Sequence, residues 1–180
     1  MTVELDIGFM AVDDNLTQLD EGSKSSEVPF SVFYEKQYEK MVRLAYLMLG
    51  KVELSEDVAQ ESFLKMHKRW HLIENPDAYI KRVVINACNS HFRKSFREKT
   101  ALNRMKSIDL ESEPTSLDFM HSLNKLNKKQ KAAVILKYYF DLSEKEVATV
   151  LKLKQGTASS LIHRGVESLR ASIERSDNGV

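Results

Sequence analysis

Four polar side chains near the C-terminus are spaced so that one face of a helix would present them together. Ser159, Ser160, His163 and Arg164 lie in the stretch "KLKQGTASSLIHRGVESLR". The apolar residues at helical spacing on the other side are Ala158, Leu161, Ile162, Gly165 and Leu169. Short polar donors and one Arg suit base edges and phosphates, which a Glu-rich face would repel. The stretch predicts a DNA-reading helix; a plain helical hairpin with a serine-rich surface is the alternative.

The residues before this helix predict how it is positioned. Ser143 and Glu146 have the spacing of a capping box, in which the hydroxyl and the carboxylate each accept from a backbone N–H. A short helix would then run to about Leu151, followed by a tight turn and the polar helix. This order is typical of a helix-turn-helix.

A second candidate nucleic-acid helix combines basic and aromatic residues. Asn75 is suited to the N-cap and Pro76 to the first helical position of the stretch "YIKRVVINACNSHFRKSFREK". Cations hold the backbone of single-stranded nucleic acid, while aromatic rings and amides contact its splayed bases. The side chains of these types include Tyr79, Arg82, Asn86, Asn89 and Arg93. The alternative is a core stripe of Tyr79, Val83, Ala87 and His91, and we accept this alternative for Val83 and Ala87.

The helix before it carries a polar face opposite an apolar stripe. We expect Ser55 to cap this helix, with Glu56 and Asp57 in its first turn. The apolar stripe is Ala59, Phe63, Met66 and Trp70, and we expect Trp70 to close the core. The opposite face holds Asp57, Gln60, Glu61 and Lys65. Without further information, this face reads as an ordinary solvated surface.

Glycine and proline are scarce, with six and three among 180 residues, and helical spacing dominates, so the sequence predicts an all-α protein. We expect an acidic, disordered extension over 1–28, one helical domain over 29–99 and a flexible linker over 100–116. A second domain covers 117–175 and a tail 176–180. Residues 1–30 carry one Lys against seven acids. Residues 31–99 carry thirteen bases against nine acids, and residues 123–175 carry eleven bases against five acids. Each domain could therefore meet a polyanion.

Composition also argues against several classes of protein. No apolar run approaches the roughly 18 residues that span a bilayer, and the acidic N-terminus is not a secretory signal. Cys88 is the single cysteine, so a disulfide within the chain is impossible and a Cys-based zinc site is not expected. We find no catalytic Ser/His/Asp set, phosphate-cradling loop or metal constellation. We expect a cytoplasmic protein with no enzymatic activity, no cofactor and no membrane insertion.

Two long blocks resemble bacterial sigma factors of the extracytoplasmic-function (ECF) group. The block "LNKLNKKQKAAVILKYYFDLSEKEVATVLKLKQGTASSLIHRGVESLR" is similar to their region 4, and "FYEKQYEKMVRLAYLMLGKVELSEDVAQESFLKMHKRW" is similar to their region 2. The resemblance covers about residues 30–174. Each motif alone is moderately specific, but the pair, in the right order and with a linker between them, is a strong signal.

The resemblance implies a role for each face. Asp57, Gln60, Glu61 and Lys65 would bind core RNA polymerase, whose largest-subunit coiled coil and flap are the expected docking elements. The single strand of the minus-ten element would contact Asn75, Asp77, Tyr79, Arg82, Asn86, Asn89 and Arg93. The minus-thirty-five duplex would contact Gln155, Thr157, Ser159, Ser160, His163 and Arg164. An anti-sigma protein is a further expected partner.

The sequence departs from the family pattern at several positions. Ser159 and Leu161 stand where the family has basic residues, which should weaken non-specific DNA affinity. Lys152 replaces the usual turn glycine, and we expect it to adopt a left-handed conformation at a cost of about 1 kcal/mol. Two other functions stay open. One is a stand-alone helix-turn-helix regulator, and the other is an α-helical adaptor that binds only protein.

Overall fold

The computed structural model describes residues 29–102 and 117–177. Within these two ranges the regular elements are all helical, which confirms the predicted all-α class. The seven α-helices are α1 (Phe30–Leu49), α2 (Val52–His67), α3 (Pro76–Leu102), α4 (Leu117–Lys125), α5 (Lys128–Tyr138), α6 (Glu144–Leu151) and α7 (Gln155–Asp177). A 3-10 turn, Trp70–Leu72, lies between α2 and α3. The acidic extension, most of the predicted linker and the end of the tail lie outside the described residues, and the division into domains stays a prediction.

The N-terminal helical group, α1 to α3, packs around the stripes that helical spacing predicted. The fully buried side chains of α1 include Met41, Leu44 and Met48, while α2 contributes Phe63 and Met66. Gly50 ends α1 in a left-handed conformation with φ 74°, and its N–H donates to Tyr46 O. Glycine adopts this conformation without steric cost and is therefore suited to end the helix.

The predicted start of α2 is wrong. Ser55 lies one turn inside the helix, fully buried, and its hydroxyl donates to Lys51 O. The helix begins at Val52 with Lys51 as N-cap, and the acid in its first turn is Glu53. A serine hydroxyl can bond a carbonyl four residues back as readily as it can cap a helix. Burial against the neighbouring helices decided between these two uses.

Trp70 closes the N-terminal core, as predicted. Its ring centroid lies 5.3 Å from that of Phe30 and 5.1 Å from that of Phe33. Phe63 of α2 meets the same cluster edge-on, 6.4 Å from Phe33. Edge-to-face and tilted contacts at these separations are favourable because the positive ring edge meets a negative ring face.

The C-terminal helical group, α4 to α7, is centred on α5 and α7. Residues 131–136 of α5 are all buried. Gly165 of α7 allows a close approach, because a Cβ at this position would lie 2.6 Å from Val134 Cγ2. α5 begins at Lys128, with Asn127 as its N-cap. Asn127 and Gln130 form a capping box there, a signal that the sequence reading missed.

Candidate polymerase and nucleic-acid interfaces

The outer face of α2 is exposed, as its polar pattern predicted. Asp57, Gln60, Glu61 and Lys65 all belong to the exposed class, while Val58, Ala59 and Met66 are fully buried on the opposite side. Lys65 Nζ lies 2.9 Å from Glu61 Oε1, one turn apart. Both partners are more than half exposed, so the pair contributes little stability and remains available to a partner.

The same face carries an apolar residue that the sequence reading did not include. Leu64 lies one turn after Gln60 and Glu61 and is 65% exposed. Gln60 Nε2 donates to Tyr38 Oη of α1 over 3.3 Å, which orients the amide. Surfaces that bind other proteins commonly have an apolar centre and a polar rim, and an exposed leucine flanked by charged and amide groups has this composition on a small scale. The sequence did contain a sign of this contact, because Leu64 is an apolar residue on the otherwise polar side of the helix.

Two of the predicted minus-ten residues already accept hydrogen bonds, one as a local helix cap and one across the fold. Asn75 caps α3, because its Oδ1 accepts from Ala78 N over 3.0 Å, and Pro76 is the first helical residue. Both features confirm the predicted helix start. Asp77 Oδ1 accepts from Gln37 Nε2 of α1 over 2.7 Å, so this carboxylate joins α3 to α1.

The remaining predicted minus-ten residues follow one face of α3. Arg82 lies over the ring of Tyr79, with its guanidinium carbon 5.4 Å from the centroid. This stacked pair presents a cation and an aromatic ring together. Asn86 Oδ1 is buried and has no hydrogen-bond partner among the described residues, and Asn89 Oδ1 is also buried. Arg93 is half-buried and donates to Ser90 Oγ over 3.0 Å.

The helix-turn-helix forms as predicted. Ser143 and Glu146 make the expected capping box, with Ser143 N donating to Glu146 Oε2 over 2.8 Å. These hydrogen bonds from Ser143 lower the pKa of the Glu146 carboxyl, because they favour its charged form. Lys152 ends α6 in the left-handed region, at φ 51° and ψ 47°, which confirms the expected conformation.

The predicted duplex-reading residues lie together at the start of α7. Gln155, Thr157, Ser160, His163 and Arg164 are exposed, and Ser159 is half-buried. Their partners are local. Ser160 Oγ donates to Gly156 O over 2.8 Å, Arg164 Nε donates to Ser160 O over 3.2 Å, and His163 Nε2 lies 3.2 Å from Glu167 Oε1.

Leu161 cannot replace the family's basic residue at the DNA surface. It is 8% exposed and belongs to the main core cluster. This position therefore supplies packing between α7 and the core instead of a phosphate contact. Position 161 therefore offers DNA no cation, because leucine carries no charge and this leucine is buried.

The described residues contain no group of three or more His, Cys, Asp or Glu side chains placed to hold a metal ion. Within the same ranges, no helix has the length and apolarity needed to cross a membrane.

Family comparisons match both helical groups. The family model described as Sigma-70 region 2 matches residues 33–98, which span most of α1 to α3. The model described as Sigma-70, region 4 matches residues 116–169, which contain α4 to α6 and the polar face of α7. The candidate polymerase face and the minus-ten face lie in the first match, and the helix-turn-helix lies in the second.

Curated relatives cover most of the chain. It is 26% identical over 155 residues to an RNA polymerase sigma-E factor of Streptomyces avermitilis, covering 82% of this chain and 87% of the relative. It is 24% identical over 182 residues to the ECF RNA polymerase sigma factor SigW of Bacillus subtilis, covering 89% and 96%.

A solved structure shares the fold. The sigma factor RpoE, in complex with the anti-sigma factor NepR from Bartonella quintana, superposes with a TM-score of 0.70 at 21% identity. The match covers 81% of this chain and 96% of that one. The chain is identified by two findings. Both sigma regions match in the expected order and on the expected helices, and the curated relatives are sigma factors of the same group. The chain belongs to the extracytoplasmic-function group of bacterial RNA polymerase sigma factors.

Proposed function

We propose that this sigma factor binds core RNA polymerase through the outer face of α2. The observation that carries the proposal is the exposure of Asp57, Gln60 and Glu61 together on one side of a helix whose other side is fully buried. The exposed Leu64 beside them adds an apolar contact. A carboxylate and an amide oriented toward solvent can accept from the basic groups of a partner helix.

The start of α7 would read the minus-thirty-five duplex. Ser160, His163 and Arg164 are exposed there, and a recognition helix enters the major groove with its N-terminal residues toward the bases. Arg164 is the group best suited to guanine or phosphate, because its guanidinium presents several donors. With Ser159 and Leu161 in place of two basic residues, this interface would make few phosphate contacts.

The α3 face would hold the unpaired strand of the minus-ten element. The Tyr79–Arg82 pair supplies a stacking surface and a cation, and Asn86 supplies an amide for a splayed base. Extruding a base costs a few kcal/mol, least where the duplex is already opening. Because binding can supply this energy, promoter melting needs no catalytic step by this chain. We propose that it has no enzymatic activity of its own and acts in the cytoplasm, beside the polymerase and the promoter.

A regulatory protein partner is part of this proposal. The structural relative RpoE is in complex with the anti-sigma factor NepR. CnrH, which superposes on this chain with a TM-score of 0.62, is in complex with the cytosolic domain of CnrY. We infer that a partner of the same class controls this sigma factor. Co-purification of the chain with proteins from its own cell tests this inference.

The decisive experiment is a reconstitution of the chain with bacterial core polymerase on a promoter. The wild-type chain should bind core and open the promoter. Gln60→Ala combined with Glu61→Lys should abolish core binding, because it removes the amide and reverses the charge at the centre of the α2 face. Lys36→Ala, at an exposed position on α1, is the control and should leave binding unchanged.

Two outcomes would favour the other functions. If the chain ignores core polymerase but binds duplex DNA alone, it is a stand-alone regulator and the α2 assignment is wrong. If replacing His163 and Arg164 leaves its cellular function intact, the protein-binding adaptor is favoured instead.

A further inference from the structure

The turn between α6 and α7 presents two lysines directly before the duplex-reading face. Lys152 and Lys154 are both exposed, and Leu153 between them packs against the main core cluster. Lys154 O accepts from Thr157 N over 2.9 Å and from Ala158 N over 3.1 Å, so this residue is joined to the first turn of α7. The core contact and these hydrogen bonds fix the backbone from which both lysines extend.

Neither lysine is paired with a carboxylate among the described residues. The stretch 147–166 contains no Asp or Glu, whereas it contains Lys152, Lys154 and Arg164. This part of the helix-turn-helix is therefore locally positive, although the net charge of the whole chain is only +1. A patch of this kind attracts a polyanion, and the neighbouring face is proposed to meet one, the phosphate backbone of duplex DNA.

Lys152 adopts a backbone conformation that favours glycine. Its φ is 51° and its ψ is 47°. A lysine is less stable than glycine in this left-handed region, because its Cβ crowds the following carbonyl oxygen. The sigma factors that this chain resembles usually have glycine here. Since the Lys152 side chain makes no ion pair in the described part of the chain, a contact with a ligand is the use that would offset the cost.

The start of α7 is poor in cations of its own. Ser159 and Leu161 stand at positions where the family has basic residues, and Leu161 is buried. A recognition helix enters the major groove with its N-terminal end toward the bases, so the residues just before its first turn reach the rim of the groove. Lys152 and Lys154 occupy that place, and a phosphate backbone runs along the rim.

We propose that Lys152 and Lys154 form a phosphate clamp, which supplies the backbone contacts on the minus-thirty-five duplex that the start of α7 lacks. The clamp holds the duplex whatever its sequence, while the polar face of α7 reads the bases. This proposal rests on the proposed reading of that duplex by α7.

The substitution Lys152→Gly separates DNA binding from stability. Glycine adopts the left-handed conformation freely, so this variant should unfold at the same urea concentration as the wild type or at a higher one. It should nevertheless bind duplex DNA more weakly, because one phosphate contact is lost. Lys154→Ala removes the second cation and leaves the carbonyl that accepts from α7 in place, so the two substitutions can be combined.

The measurement is the affinity of the full-length chain, without polymerase, for a short duplex of mixed sequence at several salt concentrations. The logarithm of the affinity falls linearly with the logarithm of the salt concentration, by about 0.9 for each phosphate neutralised. Lys152→Gly combined with Lys154→Ala should make this slope shallower by about two. Between about 50 and 200 mM salt, the advantage of the wild type should therefore shrink about tenfold.

Two double variants serve as controls. Lys36→Ala combined with Lys40→Ala removes the same charge from exposed positions of α1 and should keep the wild-type slope. Lys152→Arg combined with Lys154→Arg retains both cations of the clamp and should keep it as well. The loss in the Gly/Ala variant should be equal on duplexes of two unrelated sequences, because phosphates carry no sequence information.

A wild-type slope in the Gly/Ala variant would overturn the clamp. An equal change in the α1 control would also overturn it, because the effect would then come from net charge alone. A loss that differs between the two sequences would assign the lysines to base contacts instead. If the wild-type chain does not bind duplex DNA even at low salt, the duplex-reading assignment of α7 itself fails, which is a different result from a clamp without effect.

Discussion

The two candidate nucleic-acid faces differ in how free their side chains are. At the start of α7, Ser160, His163 and Arg164 are exposed, and the hydrogen bonds and ion pair of these side chains lie within the helix itself. On α3, by contrast, Asp77 is bonded to α1, and the Oδ1 atoms of Asn86 and Asn89 are buried. The side chains of the α7 face can contact a ligand without rearrangement. On the α3 face, the hydrogen bond of Asp77 to α1 must break and the two amide oxygens must become accessible first.

This difference fits the two kinds of DNA. A duplex element exists before the protein arrives, so a preformed face can read it by docking. An unpaired strand exists only once the promoter begins to open, and its bases can then replace the contacts that α3 makes internally.

The largest effect should come from disturbing the packing beneath the α7 face. Gly165→Ala places a methyl group 2.6 Å from Val134 Cγ2, so α5 and α7 must move apart. We expect a loss of about 2 to 3 kcal/mol in the free energy of unfolding, measured by urea denaturation.

Gly156→Ala is the matched control on the same helix. A Cβ there meets nothing within 4 Å, so helix propensity should raise stability by about 0.5 kcal/mol. Equal effects of the two substitutions would show that the α7 face does not depend on close packing at Gly165.

A second prediction concerns the α3 face. Arg82→Ala removes the cation stacked on Tyr79 and should lower promoter opening about 30-fold, or about 2 kcal/mol, as followed by permanganate reactivity of unpaired thymines. Binding to an isolated minus-thirty-five duplex should not change. Arg97→Ala, an exposed position four turns further along α3, is the control and should have a much smaller effect. A comparable loss of promoter opening from Arg97→Ala would show that α3 acts as a general basic surface, without a specific role for the Tyr79–Arg82 pair.

The smallest effect should come from a single charge on the α7 face. Arg164→Ala should weaken duplex binding by the holoenzyme about fivefold, or about 1 kcal/mol, in titrations at several salt concentrations. If Arg164 contacts a phosphate, the salt dependence should fall by about one counterion; if it contacts a base, sequence preference should relax instead. Arg170→Ala, also exposed on α7 but further from its start, should change neither quantity.

Local signals in the sequence predicted several helix ends correctly. The Ser143–Glu146 capping box, the Asn75 cap before Pro76 and the left-handed Lys152 all depend on residues close together in the chain. Ser55 was misplaced because a serine can cap a helix or bond back within one, and only the packing around it distinguishes the two. The Asn127–Gln130 box has the same local spacing as the Ser143–Glu146 box but was not recognised in the sequence.

The sequence by itself determined the helical class, the two polar faces on α2 and α7 and the sigma-factor resemblance, because these depend on local spacing and residue type. The tertiary structure alone decided that Asp77 of α3 accepts a hydrogen bond from Gln37 of α1 and that Lys131 of α5 donates to Met48 O of α1. Each of these contacts joins residues far apart in the chain. Which distant groups meet is set by the packing of whole helices, and no short stretch of sequence contains that information.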